Sequence, residues 1–257
     1  MNKTEIYISK KIKPRDPIML VGLPGIASVG SLVCEHIRNE LNAERFATLY
    51  SPYFPYQVFM LPSGYARLVS NRFYFWKNPS TKKGARDLII LTGDTQAISS
   101  EGQYDVNERI VKFFKKLGGK TIYTIGGYHT GAEYIGSPKT YGATTSKNMI
   151  KDLEKNGVIF GKAAGSIAGS AGLILAFAKK HKIEATCLMG ETGGFLDVDA
   201  NAAKSVLNSL IKILGLKISL ENIDKIKTET ERVLKEFEEA AKGQTQPPSN
   251  ENFTYIR

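Results

Sequence analysis

The residues whose types and spacing could do chemistry lie in or beside glycine-rich strings. Gly190-Glu-Thr-Gly-Gly194 follows an apolar run. Open α/β sheets form their crevices at the carboxyl ends of strands, which makes Glu191 the candidate acid or base. His129 stands close behind Gly126-Gly127 and is the candidate general base or ligand. Asp94, Glu101 and Glu133 complete a polar rim. Each has a plainer reading: Glu191 can accept nearby backbone N–H groups and pin loops together, and a lone histidine is more often a satisfied loop residue. Asp94 suits a turn, Glu101 a solvated loop and Glu133 the surface. The string Gly22-Leu-Pro-Gly-Ile-Ala-Ser-Val-Gly30 joins a strand to a helix, where glycines let the backbone approach an anion. It lacks the lysine and the Ser/Thr of a P-loop, and Gly22, Gly25 and Gly30 miss the dinucleotide spacing. A tight turn with close helix-to-strand packing explains the same glycines. Gly126 and Gly127 could extend the ligand loop, and the small-residue string from Gly161 to Gly172 reads as close packing.

These residues need a scaffold, and short apolar runs alternating with helical patterns predict an α/β fold. Residues 18–23 predict a buried strand and residues 27–41 the helix after it. Residues 45–50 and 57–61 read as strands, and residues 66–70 and 73–76 flank Asn71-Arg72 like a hairpin in an antiparallel section. Residues 87–92 form the next core strand, followed by a helix at 106–117 that Gly118-Gly119 ends. Further strands are expected at 121–125, 158–160 and 183–189, with helices at 146–155, 169–181 and 199–214. The core domain then spans residues 1–218. Residues 219–242 predict a long helix with a thin apolar stripe of Ile223, Ile226, Val233, Leu234 and Phe237, suited to lying on its own subunit or another. Residues 243–257 read as a flexible tail whose polar linker ends in Phe253-Thr-Tyr-Ile-Arg257, a tethered apolar motif of the docking-peptide kind.

Composition bounds the function. The chain has 257 residues, 42% of them hydrophobic, and 35 basic against 25 acidic residues give a formal charge of +10. That is enough apolar material for a core and excludes wholesale disorder. Cys34 and Cys187 are too few for a disulfide framework or a four-ligand zinc site, and three histidines leave little for a metal cluster, so no metal and no cofactor is expected. Both cysteines read as small buried apolar groups. No apolar leader and no run near the length of a membrane span is present, and the chain is expected to be soluble and cytoplasmic. No Gly-x-Ser-x-Gly elbow stands on a strand-to-helix turn. Arg72, Lys77, Lys82, Lys83 and Arg86 surround Phe73, Tyr74, Phe75 and Trp76, a pattern that could stack bases. A buried aromatic face alternating with a solvated basic one accounts for it better, so nucleic acid is not expected.

Taken in order, Leu20-Val-Gly-Leu-Pro-Gly-Ile-Ala-Ser-Val-Gly30, Leu91-Thr-Gly-Asp94, Ile125-Gly-Gly127, the segment 165–175 and Leu188-Met-Gly-Glu-Thr192 resemble the proteasome assembly chaperone family in its archaeal branch. The resemblance spans about residues 18–214. It implies a three-layer α/β sandwich with a mixed, mostly parallel sheet, similar to purine nucleoside phosphorylases. It further implies a homo-oligomeric, ATP-independent chaperone or binding factor that contacts 20S proteasome α-subunits through its body and C-terminal tail, and no catalysis. Archaeal members carry a terminal hydrophobic-tyrosine-any tripeptide that inserts between neighbouring α-subunits. Here Tyr255 is third from the end and Thr254 precedes it. Phe253, Tyr255, Ile256 and Arg257 are therefore the docking residues implied, with an apolar anchor and a terminal carboxylate as the physical requirements. The phosphorylase likeness supplies the alternative, a nucleoside phosphorylase- or hydrolase-like enzyme using Glu191 and His129. Against it, the glycine loop offers Leu23, Pro24, Ile26 and Ala27 where such enzymes hold phosphate with charged groups.

Overall fold

The structure, a computed structural model, describes residues 2–131, 135–161, 165–193, 197–229 and 232. In chain order, β1 (Glu5–Ile8) and β2 (Ile18–Val21) lead through a short 3-10 turn at Ile26–Ser28 into α1 (Val29–Glu40). The helix begins at Val29 rather than at Ala27, because Ala27 and Ser28 take left-handed φ values of 48° and 50°. Four strands follow: β3 (Glu44–Tyr50), β4 (Val58–Met60), β5 (Ala66–Leu68) and β6 (Asn71–Trp76). Next come β7 (Leu88–Gly93), α2 (Ser100–Lys116), β8 (Thr121–His129) and β9 (Thr140–Thr144). The chain continues through α3 (Ile150–Lys155), β10 (Val158–Ile159), α4 (Gly169–Lys180), β11 (Glu184–Thr192) and α5 (Ala200–Leu214), and residues 221–229 are helical.

Nine strands form one sheet in the order β1-β3-β6-β7-β2-β8-β11-β9-β10. The expected mixed sheet is found: β7, β2, β8 and β11 run parallel at its centre, and β3 pairs antiparallel with β1 and β6, as β9 does with β11. Successive side chains of a strand point to opposite faces, so β2 sends Met19 and Val21 into one core and Ile18 and Leu20 into the other. The first core is closed by Ile110 and Phe114 of α2 and by Ile174 of α4. The second is closed by Val33 and Ile37 of α1 and by Leu207 and Leu210 of α5. Helices on both faces make the three layers, and they explain why the central strands read as unbroken apolar runs.

Several sequence expectations are corrected. Asn71-Arg72 is not a turn: both residues lie inside β6, where Asn71 pairs with Gly93 and Arg72 with Thr92 of β7. The hairpin joins β4 to β5 instead, through Leu61–Tyr65, whose ends exchange a backbone bond of 2.9 Å. The aromatics of β6 do not form a stacking platform, nor one buried face: Phe73 and Phe75 pack into the first core and Tyr74 and Trp76 against the second. α2 starts six residues earlier than the apolar periodicity indicates, because Ser99 caps it by accepting the Gly102 N–H at 3.1 Å. β8 and β11 both run on through their glycines, and β1 and β9 are strands that the sequence pattern did not reveal.

Of the expected C-terminal helix, the first turns sit on the body. Ile223 is buried in the second core, His36 Nε2 lies 2.8 Å from the Ser219 carbonyl oxygen, and Lys204 pairs with Asp224. Val233, Leu234, Phe237 and the whole tail from 243 to 257 lie outside the described residues.

Candidate functional site

A cleft of about 420 Å³ opens at the carboxyl ends of β2, β8 and β11. This is the crest of the parallel block, where the ends of β2 and β8 and the turns that follow them leave a crevice. Leu23, Gly25 and Ile26 bound it on one side, Ile167, Gly169 and Ser170 on another, and Ile125, Cys187 and Met189 form the floor. Among the described residues its lining contains no Asp, Glu, Lys or Arg. Cys187 is fully buried there, and burial pushes its thiol up to about 11, only partly opposed by a hydrogen bond with Thr124. Cys34, behind the same loop, is pushed up further by burial. Neither is a thiolate nucleophile at neutral pH.

The glycines of the first loop serve backbone crossings. A Cβ on Gly22 would lie 1.9 Å from the Gly30 carbonyl oxygen, and one on Gly30 would lie 2.4 Å from that of Ile125. α1 can therefore lie on β2 and β8 at this depth only without side chains there. Gly126 and Gly127 are strand residues, paired with Met189 and Gly190 of β11, and Gly127 passes beneath Ile26. Gly25 faces the cleft, and a Cβ added there would lie 3.6 Å from its nearest neighbour, Gln96 Nε2.

Glu191 and His129 are not assembled into an acid–base pair. Glu191 lies in β11 opposite Tyr128, while His129 is opposite Thr192, so the two side chains leave the sheet on different faces. The Glu191 carboxylate accepts the Lys139 N–H at 3.1 Å and the Tyr141 hydroxyl at 3.4 Å, and the Glu191 N–H donates to the Lys139 carbonyl oxygen at 2.9 Å. It fastens the segment leading into β9. Burial and then the Glu191 charge raise the Tyr141 phenol above its ordinary value. His129 stands exposed at the rim, its Nδ1 accepting the Gly131 N–H at 3.1 Å. Glu101 sits in the first turn of α2 and accepts the Tyr53 hydroxyl at 3.0 Å. Glu133, Gly194 and the docking residues Phe253, Tyr255, Ile256 and Arg257 lie outside the described residues. Among the described residues no three metal-ligating side chains cluster.

Asp94 is more than a turn residue. Its carboxylate accepts Arg67 Nη2 at 3.0 Å, Arg72 Nη2 at 2.8 Å and the Ser70 N–H at 3.0 Å. Burial alone would raise this carboxyl, but the hydrogen bonds from Arg67 and Ser70 and the Arg72 charge outweigh it and hold the group below its ordinary value. The cluster neutralises Arg72, one of the cations that a nucleic-acid reading would have used.

One residue the sequence did not single out spans the cleft. Gln96 Nε2 donates to the Pro24 carbonyl oxygen at 2.7 Å, and its Oε1 accepts the Ser170 N–H at 2.8 Å. It ties the loop before α1 to the first turn of α4. Its position two residues beyond Asp94, at the end of a core strand, was the available signal.

Comparison with known proteins fits this arrangement. The family model described as the PAC2 family matches residues 19–238. The chain belongs to the PAC2 family. Within it, this PAC2 chain is 38% identical to the uncharacterized protein MJ1210 of Methanocaldococcus jannaschii, over 97% of each chain. The structure of Pyrococcus furiosus PbaB, described as an archaeal proteasome activator, superposes with a TM-score of 0.87 at 38% identity, covering 93% of this PAC2 chain and 100% of PbaB. Pyrococcus furiosus PbaA, described as an archaeal homolog of proteasome-assembly chaperone, superposes with a TM-score of 0.74 at 25% identity, covering 94% and 96%. The resemblance to the archaeal branch of the proteasome assembly chaperone family stands on these matches.

Proposed function

We propose that this chain is a non-catalytic, ATP-independent factor that works with the proteasome, as a homo-oligomer that contacts 20S α-subunits through its body and its C-terminal tail. The observation that carries this reading is the likeness to PbaB along that protein's entire chain, at 38% identity and a TM-score of 0.87. The cleft supports it from the chemical side. A phosphate dianion placed there would find, among the described residues, backbone N–H groups, the Ser166 and Ser170 hydroxyls and His129, but no Lys or Arg, and anion recognition by enzymes of phosphate esters relies on charge-assisted bonds.

In this account residues 1–218 form the core domain, residues 219–242 the C-terminal helix and residues 243–257 a flexible tail. Phe253, Tyr255, Ile256 and Arg257 are the docking group, carried on a linker rich in Gln, Asn, Ser and Pro. Several such tails on one oligomer raise the effective concentration of each without a stronger single contact. Among the described residues no helix is long and apolar enough to cross a membrane.

The test is affinity capture from the native source with two baits, the full chain and a chain ending at Asn252. The full chain is expected to bring down proteasome α-subunits and the shortened one to lose them. Equal capture by both removes the tail from the mechanism. Capture of no proteasome subunit by either removes the reading itself.

A further inference from the structure

The chain carries 35 Lys and Arg and 25 Asp and Glu, yet residues 46–66 contain none of them. That uncharged segment includes β4 and the whole loop to β5, and these two strands pair only with each other, outside the nine-stranded sheet. An isolated two-stranded ribbon is marginal in water, and it needs a surface to pack on. One face has such a surface. Phe59 and Arg67 are cross-strand partners, the Arg67 guanidinium lies 4.8 Å from the centre of the Phe59 ring, and the same guanidinium is bound by Asp94 of the body. The alternation of a strand then puts Val58, Met60 and Leu68 on the opposite face.

That opposite face is apolar and open. Met60 is 82% exposed, Val58 and Leu68 more than half, and Tyr56 and Tyr65 flank it at 100% and 68%. Aromatic side chains carry roughly 150–250 Å² each, so with the aliphatic ones the open apolar area is on the order of 600 Å². This is the upper end of what a monomer leaves uncovered. It is most of one side of a standard interface, about 800 Å² per partner. At the root of the hairpin lies a groove of about 560 Å³ bounded by Pro52, Phe54, Pro55 and Val69.

We propose that this hairpin face is the surface on which a second copy of the chain docks. Two copies each carrying +10 repel, so contact is favoured where the surface holds no charge; the one cation of the hairpin is already neutralised by Asp94. Protruding Tyr56 and Met60 and the apolar groove beside them supply both halves of a self-contact on one segment. Aromatic and methionine side chains without charges are also the composition of an interface core. The inference deepens the homo-oligomer proposed above and rests on it.

The test is the mass of the full chain in solution, by light scattering coupled to size exclusion over a hundredfold range of concentration. The variants are Tyr56→Glu and Met60→Glu, with Ile8→Glu as an exposed apolar control on β1. Tyr56 and Met60 face solvent within one chain, so melting temperature and circular dichroism are expected to match the parent. The parent and Ile8→Glu should form oligomers, and each hairpin variant should associate roughly a hundredfold more weakly and elute as a 28.3 kDa monomer. Oligomers retained in both hairpin variants overturn the proposal while leaving the homo-oligomer intact. A parent that is monomeric throughout overturns the homo-oligomer as well. Oligomers retained together with lost proteasome capture would make this face a proteasome contact, and would equally overturn the second copy as its occupant.

Discussion

Replacing Asp94 by asparagine should loosen the hairpin and lower the stability of the whole chain. The substitution keeps the shape and one acceptor oxygen but removes the charge that Arg67 and Arg72 share. The Asp94 side chain is 7% exposed, and those of Arg67 and Arg72 are 27% and 17% exposed. Breaking a buried pair costs about 3–5 kcal/mol because the surviving charge stays uncompensated. Solvent reaches part of both guanidinium groups, which lowers the expected cost to about 2–3 kcal/mol. For a chain of this size that is a fall in Tm of about 5–10 °C at pH 7. The pH dependence has a defined sign. A carboxyl whose folded value is depressed contributes stability above its unfolded value, near 4, and loses it as pH falls through the folded value. The gap between parent and Asp94→Asn should therefore be full at pH 7 and close progressively below about pH 4. Differential scanning calorimetry from pH 7 to pH 3 measures both, and hydrogen exchange over residues 56–68 should rise in the variant. A variant that melts within a degree of the parent at pH 7, or a gap that does not narrow in acid, would refute the account of this cluster.

Three further outcomes follow from the same geometry. Gly30→Ala forces a Cβ to 2.4 Å from the Ile125 carbonyl oxygen and should cost about 2 kcal/mol or more by overpacking, whereas Gly25→Ala, with 3.6 Å to its nearest neighbour, should melt with the parent. Thermal denaturation compares the two. Glu191→Gln should leave a nucleoside phosphorolysis panel as flat as it is for the parent, because Glu191 fastens β9 and faces away from His129; turnover lost in the variant would revive the enzyme reading. Cys34 and Cys187 are fully buried with raised thiol values, so iodoacetamide at pH 8 should label neither in the native chain and both in urea, read by mass spectrometry.

How much was legible in the sequence depended on whether a residue's partner was local. β2 and β7 showed themselves as apolar runs because helices cover both of their faces, and α5 because Val206, Leu207 and Leu210 repeat at helical spacing. The Asn71-Arg72 pair resembled a turn because its polarity is satisfied by groups the local pattern does not show: Arg72 by Asp94, 22 residues away, and the buried Asn71 amide by donating to the Thr95 carbonyl oxygen at 3.0 Å. Gly126-Gly127 suggested a loop, whereas both lie in β8, and it is Gly127 that lets Ile26 cross above the strand. β9 carries Thr140, Tyr141, Gly142, Ala143 and Thr144, too few apolar residues to mark a strand, and β11 supplies its register. Gln96 offered only its place after a core strand, since its clamp joins two segments 72 and 74 residues distant. The strand-end glycine strings carried the family resemblance because close backbone crossings restrict residue type more tightly than burial does.

We propose that the chain acts through its surfaces on the proteasome, without catalysis and without nucleotide. Sedimentation velocity of the purified full chain mixed with purified 20S particles, in buffer free of ATP, tests it most directly. The full chain is expected to move with the 20S boundary, and the chain ending at Asn252 to stay behind at its own sedimentation coefficient. A full chain that sediments independently of the particle at every concentration would contradict it.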